Sequence, residues 1–404
     1  MKSLIKKDYL SKEHFYKICI IGGGLTGAVM ALLLKKSNLF SSDEIAWIKP
    51  KTKKENDLRT TFFNKKNLEL LKKLKILDCL KKNDFSYVKK IKVYGTHKDL
   101  PLVWDYSSSE ENFGAVIQND IISDSILRKL KDIKQYDSLV TNTTYDHFER
   151  TLYLKNKTSI KTNLILSADG KNSQLRKLLY INTLSKKSGH VAISGFLKQS
   201  KNHNEIAIQA FTELGPIGIL PYGNKDIINF VLSVEENKYK QFFFKKDPEQ
   251  YICNKLNNFF SNIDLTFKPI RKINNFNNKL SIWPLNLNFV INPTSYRAIL
   301  IGDAAHSIHP LAGQGLNLSF RDCVSVIKSI EKSMKYGNDL GDKSILNNYK
   351  KDRMPQTIAM TAITDFLFYG FTSKSNQIKS LLTSGMVTLN KSNLKNIFRD
   401  VASS

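Results

Sequence analysis

The chain has 404 residues, is 41% hydrophobic and carries a formal charge of +26, which excludes a disordered polymer and allows about two domains with sizeable cores. Its basic residues are scattered and match no nucleic-acid-binding motif, so nucleic acid is not an expected partner. The four cysteines, Cys19, Cys79, Cys253 and Cys323, form no CxxC pair and read as small core residues in a reducing compartment.

Residues 1–16 form a polar lead-in. Lys17–Ile21 is a short apolar strand, followed by Gly22-Gly23-Gly24-Leu25-Thr26-Gly27 and a helix rich in Ala, Met and Leu to about Lys36. Gly22, Gly24 and Gly27 fit GxGxxG between a strand and a helix, a context that turns a weak pattern into a dinucleotide fingerprint. Gly22 allows the tight turn, Gly24 admits a pyrophosphate, and Gly27 lets the helix pack on the strand. The uncharged run Ile18 to Leu34 resembles a signal peptide or a membrane span. Three consecutive glycines and Thr26 interrupt it, it is slightly short to span, and no small-residue cleavage site follows, so neither a signal peptide nor a span is expected. The second strand is expected over Glu44–Ile48. Where the fingerprint expects an acid for a ribose hydroxyl, this chain has Lys49, and Asp43 and Glu44 stand at the wrong end of the strand to replace it.

Asp57-Leu58-Arg59-Thr60-Thr61 leads to a helix expected over Lys65 to Leu80. Tyr87–Tyr94 alternates as one strand with Leu100–Asp105 as its partner. Gly114–Asn119 ends a strand, and the next helix places Ile122, Ile126 and Leu130 on one face. Short strands fill 139–155, and Leu164–Ala168 is a buried strand ending in Asp169-Gly170. Between 183 and 284 the alternating runs Gly189–Leu197, Glu205–Phe211 and Asp226–Val234 predict an antiparallel sheet, with Gly215–Pro221 suited to lie along a ligand cavity. Trp283-Pro284 reads as a packed strand end.

Ala298 to Asp322 is the most informative stretch. It predicts a buried strand (Ala298–Ile301), a turn with an acid (Gly302, Asp303), a loop with Pro310, Gly313 and Gly315, and a helix. Glycines let backbone approach a ligand closely, and the N–H groups opening a helix form a positive pole. His306 and His309 have an H-x-x-H spacing, but no third ligand is near, so a structural or ligand-adjacent role is expected and no metal site. The rest is helical: Asp322–Tyr336, Lys343–Lys351, then Pro355 onward. Met360, Ile363, Phe366 and Leu367 form a stripe that reads as packing against the domain.

Three motifs stand in order: Gly22–Gly27; Ser167-Ala168-Asp169-Gly170-Lys171-Asn172-Ser173 with Arg176; and Gly302-Asp303-Ala304-Ala305-His306 with Pro310 and Gly313-Gln314-Gly315-Leu316-Asn317. Together they resemble the FAD-dependent aromatic hydroxylases of the p-hydroxybenzoate hydroxylase fold. Asp57-x-Arg59-Thr60-Thr61, Gly114–Asn119, Gly215–Pro221, His309–Leu318, Tyr349-x3-Arg353 and Thr364-Asp365 are similar to the ubiquinone-biosynthesis monooxygenases within that group. The resemblance covers the chain from Lys17. It implies an α/β fold: a Rossmann-like FAD-binding domain (GR2-type) with an inserted antiparallel β-sheet substrate domain and C-terminal helices. The expected division is 17–86 plus 107–182 plus 285–354 for FAD, 87–106 plus 183–284 for substrate, and 355–404 for the C-terminal segment.

The resemblance also implies roles. Gly22, Gly24 and Gly27 line the FAD pyrophosphate. Arg59 and Asn119 lie near the flavin, Asp169 belongs to a motif implicated in FAD and NAD(P)H binding, and Asp303 holds a ribityl or ribose hydroxyl. The backbone of Pro310, Gly313, Gln314, Gly315, Leu316 and Asn317 faces the isoalloxazine, with Pro310, Gly313 and Gly315 at the reacting edge. The implied reaction is hydroxylation of a polyprenylated phenol or benzoquinol ring in ubiquinone biosynthesis. Transiently bound NAD(P)H supplies electrons, and O2 reacts through a flavin C4a-hydroperoxide. The alternatives are an FAD-dependent hydroxylase or reductase of another aromatic, or a catalytically weak scaffold of a quinone-synthesis complex. The last is supported by Lys49. The positive charge reads either as a lysine- and asparagine-rich composition or as attraction to an anionic membrane, at about 1 kcal/mol per basic residue near the surface. The expected location is cytoplasmic, with peripheral contact at the inner face of the membrane or with a ubiquinone-synthesis complex.

Overall fold

The computed structural model describes residues 13–51, 59–95, 100–243, 247–273, 276–373 and 375–390. Asp57 and Leu58 of the Asp57-x-Arg59-Thr60-Thr61 motif lie outside them. Strand Glu13–Ile21 sits at the centre of a parallel sheet. It pairs with Ile45–Ile48 on one side, Ile18 opposite Ile45, and with Ser159–Ser167 on the other, Ile18 opposite Leu164. Lys134–Tyr136 and Ala298–Leu300 extend the sheet in parallel. These central strands are covered on both faces, so they read as apolar runs and not as alternations. Helices Leu25–Lys36 and Gln314–Lys335 close one face, where Ile18, Ile20, Val29, Leu32, Phe320 and Val326 share one core. The other face takes Val140, Leu152 and Leu154 from the antiparallel pair Val140–Tyr145 and Arg150–Leu154. Cys19 and Cys323 are buried free thiols within this domain, as expected of small core residues.

A second sheet of nine strands is largely antiparallel. Leu184–Gln199 pairs with Ile227–Glu235 and with Ser281–Phe289. Pro216–Pro221 and Ile206–Phe211 continue it, and Lys90–Tyr94 joins Ile206–Phe211 in parallel. One face packs on helix Pro248–Phe259 through Ile252, Leu256 and Phe259. The opposite face is turned toward the parallel-sheet domain.

Several expectations are corrected. The alternation over Tyr87–Tyr94 covers two strands in different sheets: Phe85–Val88 pairs with Gly114–Gln118, whereas Lys90–Tyr94 joins the nine-stranded sheet. Periodicity survives this switch because both segments are extended. The helix from Lys65 stops at Lys73, and Lys75 then adopts a left-handed conformation (φ 54°). Strand Ser281–Phe289 runs through the boundary expected at 284/285. Trp283 is therefore inside a strand and not at its end. Helix Lys343–Thr372 continues across Pro355, which forfeits one backbone bond where tertiary packing holds Arg353 and Thr357 buried on either side. The stripe at Met360–Leu367 divides: Leu367 packs inward, while Ile363 and Phe366 are 39% and 63% exposed.

One buried carboxylate joins the pieces. Asp322, fully buried in helix Gln314–Lys335, accepts from the Gly302 backbone N–H at 2.9 Å, from His306 Nε2 at 2.6 Å and from Arg353 Nε at 2.8 Å. Tyr349, one turn before Arg353, donates to the Leu300 carbonyl at 2.9 Å. Burial acts to raise the Asp322 pKa, but His306 and Arg353 outweigh it and hold the carboxyl below its ordinary value. A depressed folded-state pKa gives stability that is present above the ordinary aspartate value, about 4, and lost as pH falls through the folded value. Asp322→Asn strands Arg353 without its counter-charge and is expected to cost about 3–5 kcal/mol in urea unfolding at neutral pH. The deficit relative to the parent should shrink as pH falls below about 4; a pH-independent loss under about 1 kcal/mol would contradict this role.

Candidate active site

The two sheets enclose a cleft of about 640 Å³, within the range of small-molecule sites. Its two ends differ in chemistry. Gly23, Gly24, Thr26, Arg59, Asn119 and Asp303 line the polar end. Ile91, Leu220, Val231, Trp283, Leu285 and Leu287 line the apolar end, on the open face of the nine-stranded sheet.

At the polar end the first turn follows the fingerprint. Gly22 has φ 117°, which favours glycine, and a Cβ there would run into the Ala168 carbonyl. A Cβ on Gly27 would strike the Gly22 carbonyl, so this glycine serves helix-on-strand contact. A Cβ on Gly24 would meet nothing within 4 Å. The space beside Gly24 therefore belongs to the cleft and not to packing. Trp47, one residue before the end of the second strand, fixes this turn by donating from Nε1 to the Gly22 carbonyl at 2.8 Å. No sequence pattern marked it, since a tryptophan in a short apolar run looks like core. Lys49 lies with its Nζ 4.3 Å from the centre of the Trp47 ring, half-buried, and burial pushes its pKa down.

Two helices begin at the cleft. Leu25–Lys36 starts after Gly24, and Gln314–Lys335 after Gly313, whose φ is 65°. Among the described residues neither N-terminus has a side-chain cap, and neither first turn carries an acid. Both leave backbone N–H groups for something else, which is the arrangement of an anion or polar ring edge. Arg59 also lines the cleft, 5.6 Å from the Trp283 ring centre. Its carbonyl accepts from the Asn119 N–H at 3.0 Å, and Thr61 Oγ1 donates to Asn119 Oδ1 at 2.8 Å, so Arg59 and Asn119 stand side by side at the cleft.

Asp303 follows directly on Gly302, the residue held by Asp322. Its side chain is open to the cleft, yet the surrounding protein desolvates the carboxyl and raises its pKa against the pull of His306, Lys171 and Arg59. Arg176 clasps the second and third motifs together by donating to the Ala304 carbonyl at 2.8 Å and the Lys171 carbonyl at 2.9 Å. Asp169 is turned into its own loop: it accepts from Ser167 Oγ at 2.6 Å and from the Leu175 N–H at 3.1 Å, while Gly170 and Lys171 line the cleft. Of the run expected to face a flat ligand, Pro310, Gly313, Gly315 and Leu316 line the cleft, but Gln314 and Asn317 do not. The chain is helical from Gln314, so successive side chains point around the axis. Asn317 is fully buried and clamps Asn67, Phe62 and Gly313. His306 belongs to the Asp322 network. His309 is buried against the Phe368 ring at 3.6 Å, its pKa pushed down to about 4 by burial. Among the described residues no cluster of potential ligands could hold a metal ion.

The chain is similar to known proteins. A relative from Dictyostelium discoideum, ubiquinone biosynthesis monooxygenase COQ6, mitochondrial, is 28% identical over 97% of this chain and 92% of its own. The human protein of the same name is 24% identical over 94% of this chain and 90% of its own. Among solved structures, PqsL, a probable FAD-dependent monooxygenase from Pseudomonas aeruginosa, superposes with a TM-score of 0.73 at 17% identity, covering 93% of this chain and 100% of its own. HpxO from Klebsiella pneumoniae, complexed with FAD and uric acid, gives 0.72 at 14% identity, covering 96% of each chain. The α/β fold with C-terminal helices is thus that of FAD-dependent monooxygenases of the p-hydroxybenzoate hydroxylase type. The FAD binding domain family matches residues 16–364, and the chain belongs to that family.

Proposed function

We propose that this chain is an FAD-dependent monooxygenase that hydroxylates the ring of a polyprenylated phenol in ubiquinone biosynthesis. The observation that carries the reading is one cleft in which two uncapped helix N-termini and an apolar sheet face meet. The polar end suits FAD. The turn at Gly22–Gly24 and the helix N–H groups behind it would take the pyrophosphate, with Gly27 keeping that helix close. Asp303 would accept from a ribityl or ribose hydroxyl. Arg59 and Asn119 would lie beside the flavin, and the wall of Pro310, Gly313, Gly315 and Leu316 would lie against its ring. The open N-terminus of Gln314–Lys335 favours negative charge at that ring edge. Asp169, through its loop, would place Gly170 and Lys171.

Bound FAD, reduced by a transient NAD(P)H, supplies the transfer of one oxygen atom from O2 to an electron-rich ring. This chain's residues bind, orient and exclude water. Ile91, Leu220, Val231, Leu285 and Leu287 would surround an apolar substrate and keep water from the reacting edge. Among the described residues no helix is long and apolar enough to cross a membrane. Peripheral contact is the form we propose, through the +26 charge and the exposed Ile358, Ile363 and Phe366 of helix Lys343–Thr372. The scaffold reading is favoured only by Lys49 in the ribose position.

Purified protein reduced in the presence of FAD and mixed with a prenylated phenol under heavy oxygen gas should yield a product carrying one heavy oxygen. An unlabelled product excludes the monooxygenase, and protein that stays colourless in added FAD supports the scaffold. The glycines should separate fold from cofactor. Gly24→Val is expected to keep its urea midpoint while FAD affinity falls by about tenfold or more, about 1.4 kcal/mol. Gly27→Val overpacks the helix contact and should lower stability by about 1–3 kcal/mol. Identical behaviour of the two variants would remove the distinction.

A further inference from the structure

Lys49 stands where the dinucleotide fingerprint has an acid. Strand Ile45–Ile48 delivers it to the first turn: the Ile48 carbonyl accepts from the Gly22 N–H at 2.9 Å, and the Lys49 N–H donates to the Tyr136 carbonyl at 2.9 Å. Its stem then runs past Gly23. A Cβ on Gly23 would come within 3.1 Å of Lys49 Cβ and 3.8 Å of its Cδ. Gly23 and Gly24 line the polar end of the cleft. The ammonium rests against the Trp47 ring, whose own Nε1 holds the Gly22 carbonyl. Turn, tryptophan and lysine are therefore one packed unit.

The charges around this unit are committed elsewhere. Glu44, at the far end of the strand, pairs with Lys17 at 2.6 Å. Asp137 accepts from the Lys51 N–H at 2.6 Å and stands 3.6 Å from the Lys51 ammonium. The cations that line the cleft are engaged on the second sheet: Lys171 donates to the Pro284 carbonyl at 3.0 Å, and Arg59 lies beside Trp283. Among the described residues Lys49 forms no ion pair, and loss of water lowers its pKa. A cation half withdrawn from water without a counter-charge is costly, so an anion that comes to it gains. The FAD diphosphate is such an anion. An acid at this position accepts from a ribose hydroxyl and repels the diphosphate. A lysine can donate to the same hydroxyl, which also accepts, and it attracts the diphosphate.

We propose that Lys49 is a cofactor-binding residue that replaces the acid of the fingerprint with a cation. It donates to a ribose hydroxyl in the adenosine half of FAD and offsets the charge of the diphosphate. The departure from the fingerprint is then a change in how the cofactor is held and not a sign of its loss. This rests on the polar end of the cleft being the FAD site.

The test titrates flavin-free protein with FAD, read by the change in flavin fluorescence, at about 0.05 M and about 0.5 M salt. The affinity of the parent should fall with salt. Lys49→Met should bind FAD about tenfold more weakly at low salt and show a flatter salt dependence, with the urea midpoint of the flavin-free protein in place. Lys49→Arg, which keeps the charge, should stay within about threefold of the parent. Lys49→Glu restores the acid and should bind no more tightly than the parent. Lys49→Met that matches the parent at both salt concentrations overturns the assignment. Lys49→Glu that binds more tightly than the parent also overturns it, because the lysine is then a lost acid. In both cases the FAD site itself stands. Parent protein that takes up no FAD overturns the cofactor reading of the cleft as well.

Discussion

The carboxylate of Asp322 is the constraint on which the architecture depends. It is fully buried, and its oxygens are taken up by Gly302, His306 and Arg353. Those partners come from the end of the Ala298–Leu300 strand, from the loop that follows, and from the long C-terminal helix. A buried charge is tolerated only when paired and hydrogen-bonded, so the three pieces cannot separate without stranding it. The consequence for the site is positional. Asp303 is the next residue after Gly302, and the wall from Pro310 to Leu316 is the return of the same loop. The network makes no contact with the cleft itself, yet it sets the edge along which a flat ligand would lie.

The cleft divides its work by sheet. The parallel sheet ends in turns and helix starts, so it offers backbone N–H groups, which suit phosphate and polar ring edges. The antiparallel sheet offers a pleated face, where alternate side chains point into the same space and build an apolar wall. Arg176 holds two of the loops at the cleft together through their carbonyls. A site assembled this way can change its substrate by altering side chains on the sheet without disturbing the turns.

Much of this was legible in the sequence where a residue type answers one backbone requirement. Gly22 and Gly27 were readable because the turn and the helix contact admit no side chain. Arg59, Asn119, Asp303, Pro310 and Gly313 were pointed to by the family resemblance, and the cleft brings them together. Less was legible where a side chain's role depends on what it is bonded to. Asp169 and Asn317 carry functional groups, but their polar atoms are taken up by neighbours, by Leu175 in one case and by Asn67 and Phe62 in the other. Trp47 was invisible because a tryptophan in a short apolar run looks like core. Phe366 was misjudged because helical spacing identifies a face without saying whether anything covers it.

The central claim is that this cleft inserts one oxygen into a prenylated ring on the way to ubiquinone. The most direct check in a living cell is the profile of quinone intermediates in a strain that lacks the gene. The account predicts loss of ubiquinone and accumulation of a prenylated phenol that is one ring oxygen short, reversed by the parent gene and not by the Gly24→Val form. An unchanged ubiquinone pool, or accumulation of a species that already carries every ring oxygen, would contradict it.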